Sequence, residues 1–258
     1  MRILFIGDIV GAPGREAVKA LVPKLKKEKA VDVVVANSEN ASGGSGITSK
    51  VVEELFGYGC DCLTNGDHIW KRQDVLTIID HPFIVRPLNL APNIPGNGYC
   101  ILSKNNYKVA VINLQGRVFM KPIDCPFRSV REVIPIIRKQ TPVILVDMHA
   151  EATSEKVAMG YFLDGLVSAV VGTHTHIQTA DEKILTAGTA YISDLGMCGP
   201  YDSVIGQEKS KIIERFLTGM PTRFEVASGD IQLHGVVIDI DETTGKARSI
   251  ERVQEKLL

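Results

Sequence analysis

Five times along this 258-residue chain an apolar run of strand length stops at residues that bind metals or carry protons. Residues 2–7 end at Asp8, and residues 31–36 end in Asn37-Ser38-Glu39-Asn40. Residues 61–64 lead to Asn65-Gly66-Asp67-His68, residues 143–146 to Asp147-Met148-His149, and residues 169–171 to Gly172-Thr173-His174-Thr175-His176. Short continuous apolar runs read as strands buried on both faces. In open α/β sheets, ligands collect beyond the carboxyl ends of such strands. Four of the six histidines fall at these ends, His81 and His234 being the exceptions. Recurrence at five ends points to one functional cluster rather than to scattered loop residues.

Between the runs the spacing turns helical. Apolar positions over residues 15–29 predict a helix with a basic outer face, kinked or cut short at Pro23. Further helices are expected over 51–58, capped by Thr48 or Ser49, near 73–80, and over 127–139, 154–163 and 210–217. Residues 99–103 and 108–113 flank Asn105-Asn106 and read as a hairpin. Residues 184–186 and 190–193 read as paired strands and 194–206 as a loop. Residues 223–227, 232–239 and 248–253 read as antiparallel strands. Pro82, Pro87, Pro92 and Pro95 mark a long loop expected to shape specificity. The order is βαβαβ first and β-rich last, which predicts an α/β fold with a two-sheet core covered by helices on its outer faces. No composition break marks a linker, so residues 1–258 are expected to form a single domain.

The chain is 45% hydrophobic, enough for a large core, and its formal net charge of −1 offers no basic field. Wrapping a long nucleic acid is therefore not expected, whereas a small anion drawn to a local positive centre is compatible. The first residues are too soon charged for a signal peptide, and no apolar run reaches membrane-spanning length. The five cysteines are an odd number, with no second pair to complete a zinc site around Cys60 and Cys62. They read as idle thiols in a reducing cytoplasm.

Asp8, Glu39, Asp67, His149, His174 and His176 are too many ligands for one tetrahedral ion. With Glu39 bridging, two ions use all six. Mixed imidazole and carboxylate donors suit iron, manganese or zinc and argue against calcium or thiolate-bound copper. Two such ions clamp the attacking and leaving oxygens of an in-line phosphoryl displacement, with a bridging hydroxide as nucleophile. His68, beside a candidate ligand yet outside the count, fits the general acid. Asn40, beside the bridging carboxylate, is placed to donate its amide to a phosphate oxygen.

Gly7-Asp8-x-x-Gly11, Gly66-Asp67-His68, an isolated His149 and Gly172-x-His174-x-His176 resemble the calcineurin-like metallophosphoesterases. The fuller strings GDIVG, NSENASGG, DMHAEATSEK, VGTHTHIQTAD and SDLGMCGPYDSVIG resemble one branch, the YmdB-like phosphodiesterases, from Arg2 to about Gly206. The resemblance implies a two-sheet β-sandwich flanked by helices, in four αββα layers. It also implies dinuclear metal-dependent hydrolysis of small phosphodiesters, 2′,3′-cyclic nucleotides above all, by a homo-oligomer. Carried over to this chain, it implies that Asp8, Glu39 and His176 hold one metal, with solvent or Asn40 completing its shell. Glu39, Asp67, His149 and His174 hold the other, Asn40 meets the phosphate, and His68 gives the proton. The His-x-His pair is thereby split between two ions.

Two positions depart from the superfamily pattern. Val10 stands where the first motif usually has a histidine, an absence typical of this branch, and Asp67 replaces the usual asparagine. Asp8, Glu39 and Asp67 together leave two divalent ions with a formal charge of +1. That loss of charge favours a second reading, a regulatory metal- and nucleotide-binding protein with little turnover. A metal-dependent amidohydrolase ranks last, because there His-x-His belongs on the first strand. Arg117 reads as a phosphate or base contact or a solvated loop residue, Glu151 and Thr153 as orienters or caps, and Asp194 as a ligand orienter or turn residue. The glycines of residues 42–46 offer backbone amides to a phosphate or simply make a turn.

Overall fold

Alternation along the strands decides the layers. In β1 (Arg2–Ile6), Ile3 and Phe5 face one side and Leu4 and Ile6 the other, all fully buried. Leu4 and Ile6 pack on Val18, Leu21 and Val22 of α1 (Gly11–Glu28), whereas Ile3 and Phe5 meet Val109, Val111 and Leu145 of a second sheet. That sheet's outer residues, among them Ile144 and Val146, pack on Val130 and Ile134 of one helix and Met159 of another. Three apolar layers thus lie between four structural ones, helix–sheet–sheet–helix. Each large aliphatic or aromatic side chain buried this way contributes about 1.5–3 kcal/mol.

The computed structural model describes residues 1–104 and 106–258. After α1 come β3 (Val33–Asn37), α2 (Ser49–Gly57), β4 (Cys62–Thr64), β5 (Ile84–Val85), β6 (Tyr99–Lys104) and β7 (Tyr107–Gln115); β2 (Asp8–Ile9) precedes α1. Then follow α3 (Pro126–Ile137), β8 (Ile144–His149), α4 (Thr153–Phe162), β9 (Ala169–Thr173), β10 (Lys183–Ile184) and β11 (Ala190–Ile192). The chain closes with β12 (Met197–Pro200), α5 (Lys209–Thr218), β13 (Ile231–Ile240) and β14 (Ala247–Lys256). The first sheet has the order β2-β12-β13-β1-β3-β4-β5, with β14 also on β13; the second runs β10-β11-β9-β8-β7-β6. β1, β3 and β4 are parallel, as are β7, β8 and β9, so the carboxyl ends of both sets gather at one edge of the sandwich.

Several expectations need correction. Pro23 neither breaks α1 nor shortens it, because its ring lies on the exposed face of a helix that begins earlier, at Gly11. The helix expected near residues 73–80 is a short 3₁₀ turn, Gln73–Thr77, which follows another at Ile69–Lys71. Residues 223–227 form no strand; Val226 makes one bridge to Gln207. The loop expected over 194–206 contains β12, a strand by virtue of pairing with β2 and β13 rather than of its Gly- and Pro-containing sequence. β6 and β7 pair antiparallel as expected, while Asn105 of the expected turn lies outside the described residues. No helix among the described residues is long and apolar enough to cross a membrane.

Candidate metal centre

The first sheet supplies the acids. Asp8 follows β1 closely, Glu39 and Asn40 follow β3, and Asp67 and His68 follow β4. The second sheet supplies the imidazoles, His149 as the last residue of β8 and His174 and His176 just past β9. All eight residues meet. One ligand atom each from Glu39, Asp67, His149 and His174 lies within 4.8 Å of the other three. His176 Nε2 stands beside this group, 3.9 Å from Asp8 Oδ1 and 3.2 Å from Asn40 Nδ2.

The expected extended His-x-His is not what forms. His174 and His176 have φ of +102° and +66°, a backbone that L-residues rarely adopt, so their rings are not set by strand alternation. Between them Thr175 is clamped: its N–H and hydroxyl donate to Asp194 Oδ2 at 3.1 and 2.7 Å. Lys156 Nζ donates to the same oxygen at 2.6 Å, and both partners of this pair are at most 2% exposed. His174 sits 3.0 Å from His149, Nδ1 to Nε2, and its own Nε2 lies 3.2 Å from Glu151. His176 donates Nδ1–H to the Ile205 carbonyl at 2.8 Å, which leaves the Nε2 lone pair for the centre.

A buried relay fixes His149 in the same way. Asp147 Oδ1 accepts the Thr173 hydroxyl at 2.7 Å, so Thr173 Oγ1 accepts from His149 Nδ1 at 2.9 Å. Nε2 is then the nitrogen that faces Glu39 and Asp67, at 3.2 and 3.4 Å, and the one open to a proton or a cation. Asn37 and Thr64 hold the other Asp147 oxygen. His68 Nδ1 lies 2.7 Å from Asn40 Oδ1, and Asn40 Nδ2 lies 3.1 Å from Glu39 Oε1. As a metal ligand Asn40 would have to present Oδ1, which here faces His68.

The electrostatics show what the corner lacks. Burial pushes the Asp8 carboxyl up to about 7, against the pull of His176 and His149. Burial also opposes ionisation of Glu39, but His149 and His68 outweigh it and hold that group at about 2. Asp67 lies well below the usual carboxylate range, burial being outweighed by His149, His68 and His174. Burial would lower His149, yet Glu39, Asp67 and Asp8 raise it well above the ordinary imidazole value. Burial and the neighbouring His149 push His174 down to about 4. Asp8 Oδ1 and Asp67 Oδ1 are buried and make no hydrogen bond. Buried anionic oxygens without partners are costly unless a cation compensates them. A Cβ on Gly66 would run into the His149 ring and Glu39 Oε2, so the cradle closes only around glycine. Hard and borderline ligand atoms packed this way fit divalent transition-metal ions.

Other expectations fare differently. Gly43, Gly44 and Ser45 line the cleft, and so does Glu151. Arg117 does not line it; its N–H is held by Glu155 across the start of α4. The proline-rich loop does not line the cleft either; Arg86 ties it together through the carbonyls of Pro87 and Pro95. Lys71, Arg215, Phe216 and Phe224 do line it and carry no motif, while Ile205, also in the lining, falls within the SDLGMCGPYDSVIG string without a role expected of it. Asn37, Asp147 and Lys156 support the site without any role expected from the sequence. For Asn37 and Asp147 the available signal is a polar residue interrupting or ending an apolar strand.

Four helix–sheet–sheet–helix layers with a carboxylate–imidazole cluster at their strand ends define a protein of the metallophosphoesterase fold. A Mycoplasma pneumoniae protein described as a novel phosphatase has this structure, with a TM-score of 0.94 at 35% identity over 99% of this chain and 93% of that one. A hypothetical protein of Thermus thermophilus matches equally well, with a TM-score of 0.94 and 38% identity over 99% of both chains. A Bacillus subtilis protein named 2′,3′-cyclic-nucleotide 2′-phosphodiesterase is 52% identical over 98% of this chain and 96% of its own length. The model of the YmdB-like protein family matches residues 4–253, and the chain belongs to that family.

Proposed function

We propose that this chain, as one domain over residues 1–258, is a cytoplasmic dinuclear metallophosphodiesterase that hydrolyses small phosphodiesters, 2′,3′-cyclic nucleotides foremost, and works as a homo-oligomer. The observation that carries the reading is the convergence of Glu39, Asp67, His149 and His174, with Asp8 and His176 alongside and two buried carboxylate oxygens without a hydrogen bond. The 52% identical Bacillus subtilis protein, named for the same reaction, supports it. Asp8, Glu39 and His176 would hold one ion and Glu39, Asp67, His149 and His174 the other, with iron or manganese favoured and zinc admissible. When bound, the ions polarise the phosphate and acidify water.

The rest falls to the chain's own side chains. Thr173 and Ile205 fix the tautomers of His149 and His176 so that each turns Nε2 to the centre. Asn40 Oδ1 accepts from His68 Nδ1, which leaves His68 Nε2, 3.8 Å from Asp67 Oδ2, as the other nitrogen of a half-buried ring. Protonated there, His68 delivers its proton to the leaving ribose oxygen. Asn40 Nδ2, standing between Glu39 and His176, donates to a phosphate oxygen as the substrate enters. Lys71, at the cleft wall, adds positive charge where Asp67 has removed some. Protein loaded with Mn²⁺ or Fe²⁺ should hydrolyse bis-p-nitrophenyl phosphate and 2′,3′-cAMP. Tight nucleotide binding without product would establish the regulatory reading instead.

A further inference from the structure

The cleft over the cluster measures about 840 Å³, far more than a phosphate needs and within the range that receives a drug-sized ligand. Its two walls differ in chemistry. One is polar, built from Glu39, Asn40, His68, His174 and His176. The other comes from the segment after β12 and from α5 and the chain beyond it, which contribute Ile205, Ile212, Arg215, Phe216 and Phe224. This second wall has no part in metal binding, yet its aromatic groups stand open. Phe224 is 42% exposed and Phe216 84%. The Arg215 guanidinium carbon lies 4.9 Å from the Phe224 ring centroid, which places a planar cation over an aromatic ring.

The wall is also tied to the cluster. His176 donates to the Ile205 carbonyl, so the backbone that carries the apolar wall is the one that orients a candidate ligand. Glu208 N–H donates to the Glu225 carbonyl at 2.8 Å, and Ala227 N–H donates to the Gly206 carbonyl at 3.0 Å. These bonds bind the Phe224 segment to the same loop. A ligand whose phosphate sat at the cluster would share the cleft with Phe224 and Arg215.

We propose that the Arg215–Phe224 pair, flanked by Phe216, is the nucleobase subsite, and that it selects base-bearing phosphodiesters over base-free ones. This rests on the phosphodiesterase reading above and adds the source of its specificity. A planar π-system is what an open aromatic face and a stacked guanidinium both accept, and stacking tolerates different bases. Phosphate alone would gain nothing from the faces of Phe216 and Phe224.

The test compares metal-loaded wild type, Phe224→Ala and Phe224→Tyr on 2′,3′-cAMP and on glycerol 1,2-cyclic phosphate, which carries the same reacting group without a base. The ratio of kcat/KM for the two substrates should fall about ten- to a hundredfold in Phe224→Ala, through KM, and return in Phe224→Tyr. An unchanged ratio overturns the subsite. Calorimetry of 3′-AMP against glycerol 2-phosphate reads the same preference by binding alone. If wild type turns over neither cyclic substrate, the phosphodiesterase reading fails, while loss of the 3′-AMP preference in Phe224→Ala still supports the subsite. Equal 3′-AMP binding by wild type and Phe224→Ala overturns it, as does a change of oligomeric state that alone accounts for the loss.

Discussion

At the residue scale, His68 and Asp67 are neighbours with separable duties. His68 donates to Asn40 and belongs to no ligand set, so His68→Ala should keep its metal and lose turnover by about 10²–10⁴-fold. Metal analysis beside kcat checks this, and full activity in the variant removes the acid role. Asp67 contributes a carboxylate oxygen with no hydrogen bond, placed 3.4 Å from His149 Nε2. Asp67→Asn restores one positive charge to the centre. It should weaken metal binding about tenfold and lower KM for an anionic substrate, as a metal titration and a saturation curve would show. Unchanged values in both would sink this role for the carboxylate.

At the scale of elements, the β9–Thr175–Asp194 junction carries the strain. The two positive-φ histidines flank Thr175, which is anchored by Asp194, itself charge-paired with Lys156 in the interior. Asp194→Ala leaves a buried ammonium unpaired and should cost about 3–5 kcal/mol in chemical denaturation. Asp194→Asn, which keeps the acceptor for Thr175, should cost less. On β13, burial lowers His234 to about 4, and its Nε2 lies 2.9 Å from Gln232 Oε1 while its ring stacks on Tyr201. A histidine lowered by folding is neutral in both states above about pH 6.5, the unfolded value. Below that the unfolded chain takes up the proton first, so stability falls as pH drops from about 6.5 toward the folded value of about 4. His234→Phe should flatten that part of the profile in denaturant midpoints.

The same scale shows what is legible in the sequence. The five polar strand ends that converge are, because a buried strand reads as an apolar run and its polar terminus stands out. β12 and the bridge at Val226 are not, since short strands owe their state to partners distant in the chain. The backbone reversal at His174 and His176 is hidden for a similar reason. It is held by Asp194, which the sequence does offer as an orienter, but through Thr175, across β10 and β11, a pairing that no spacing announces. The aromatic wall is illegible because Phe216 and Phe224 belong to no periodic pattern that points at the cleft.

At the scale of the molecule, the centre joins the two sheets. Asp8, Glu39 and Asp67 come from one and His149, His174 and His176 from the other, so ions held between them bind the native state alone. Stripping metal with a chelator should lower the thermal midpoint by about 5–15 °C, the shift expected for ligands present at about a hundred to a thousand times their dissociation constant. Calorimetric scans of loaded and stripped protein would show it. The most direct test of a two-ion phosphodiesterase is the rate of 2′,3′-cAMP hydrolysis followed against the number of Mn²⁺ or Fe²⁺ ions bound per chain. Activity should climb with loading and level off at two ions. Full activity without metal, or a plateau at one ion, would contradict the dinuclear centre.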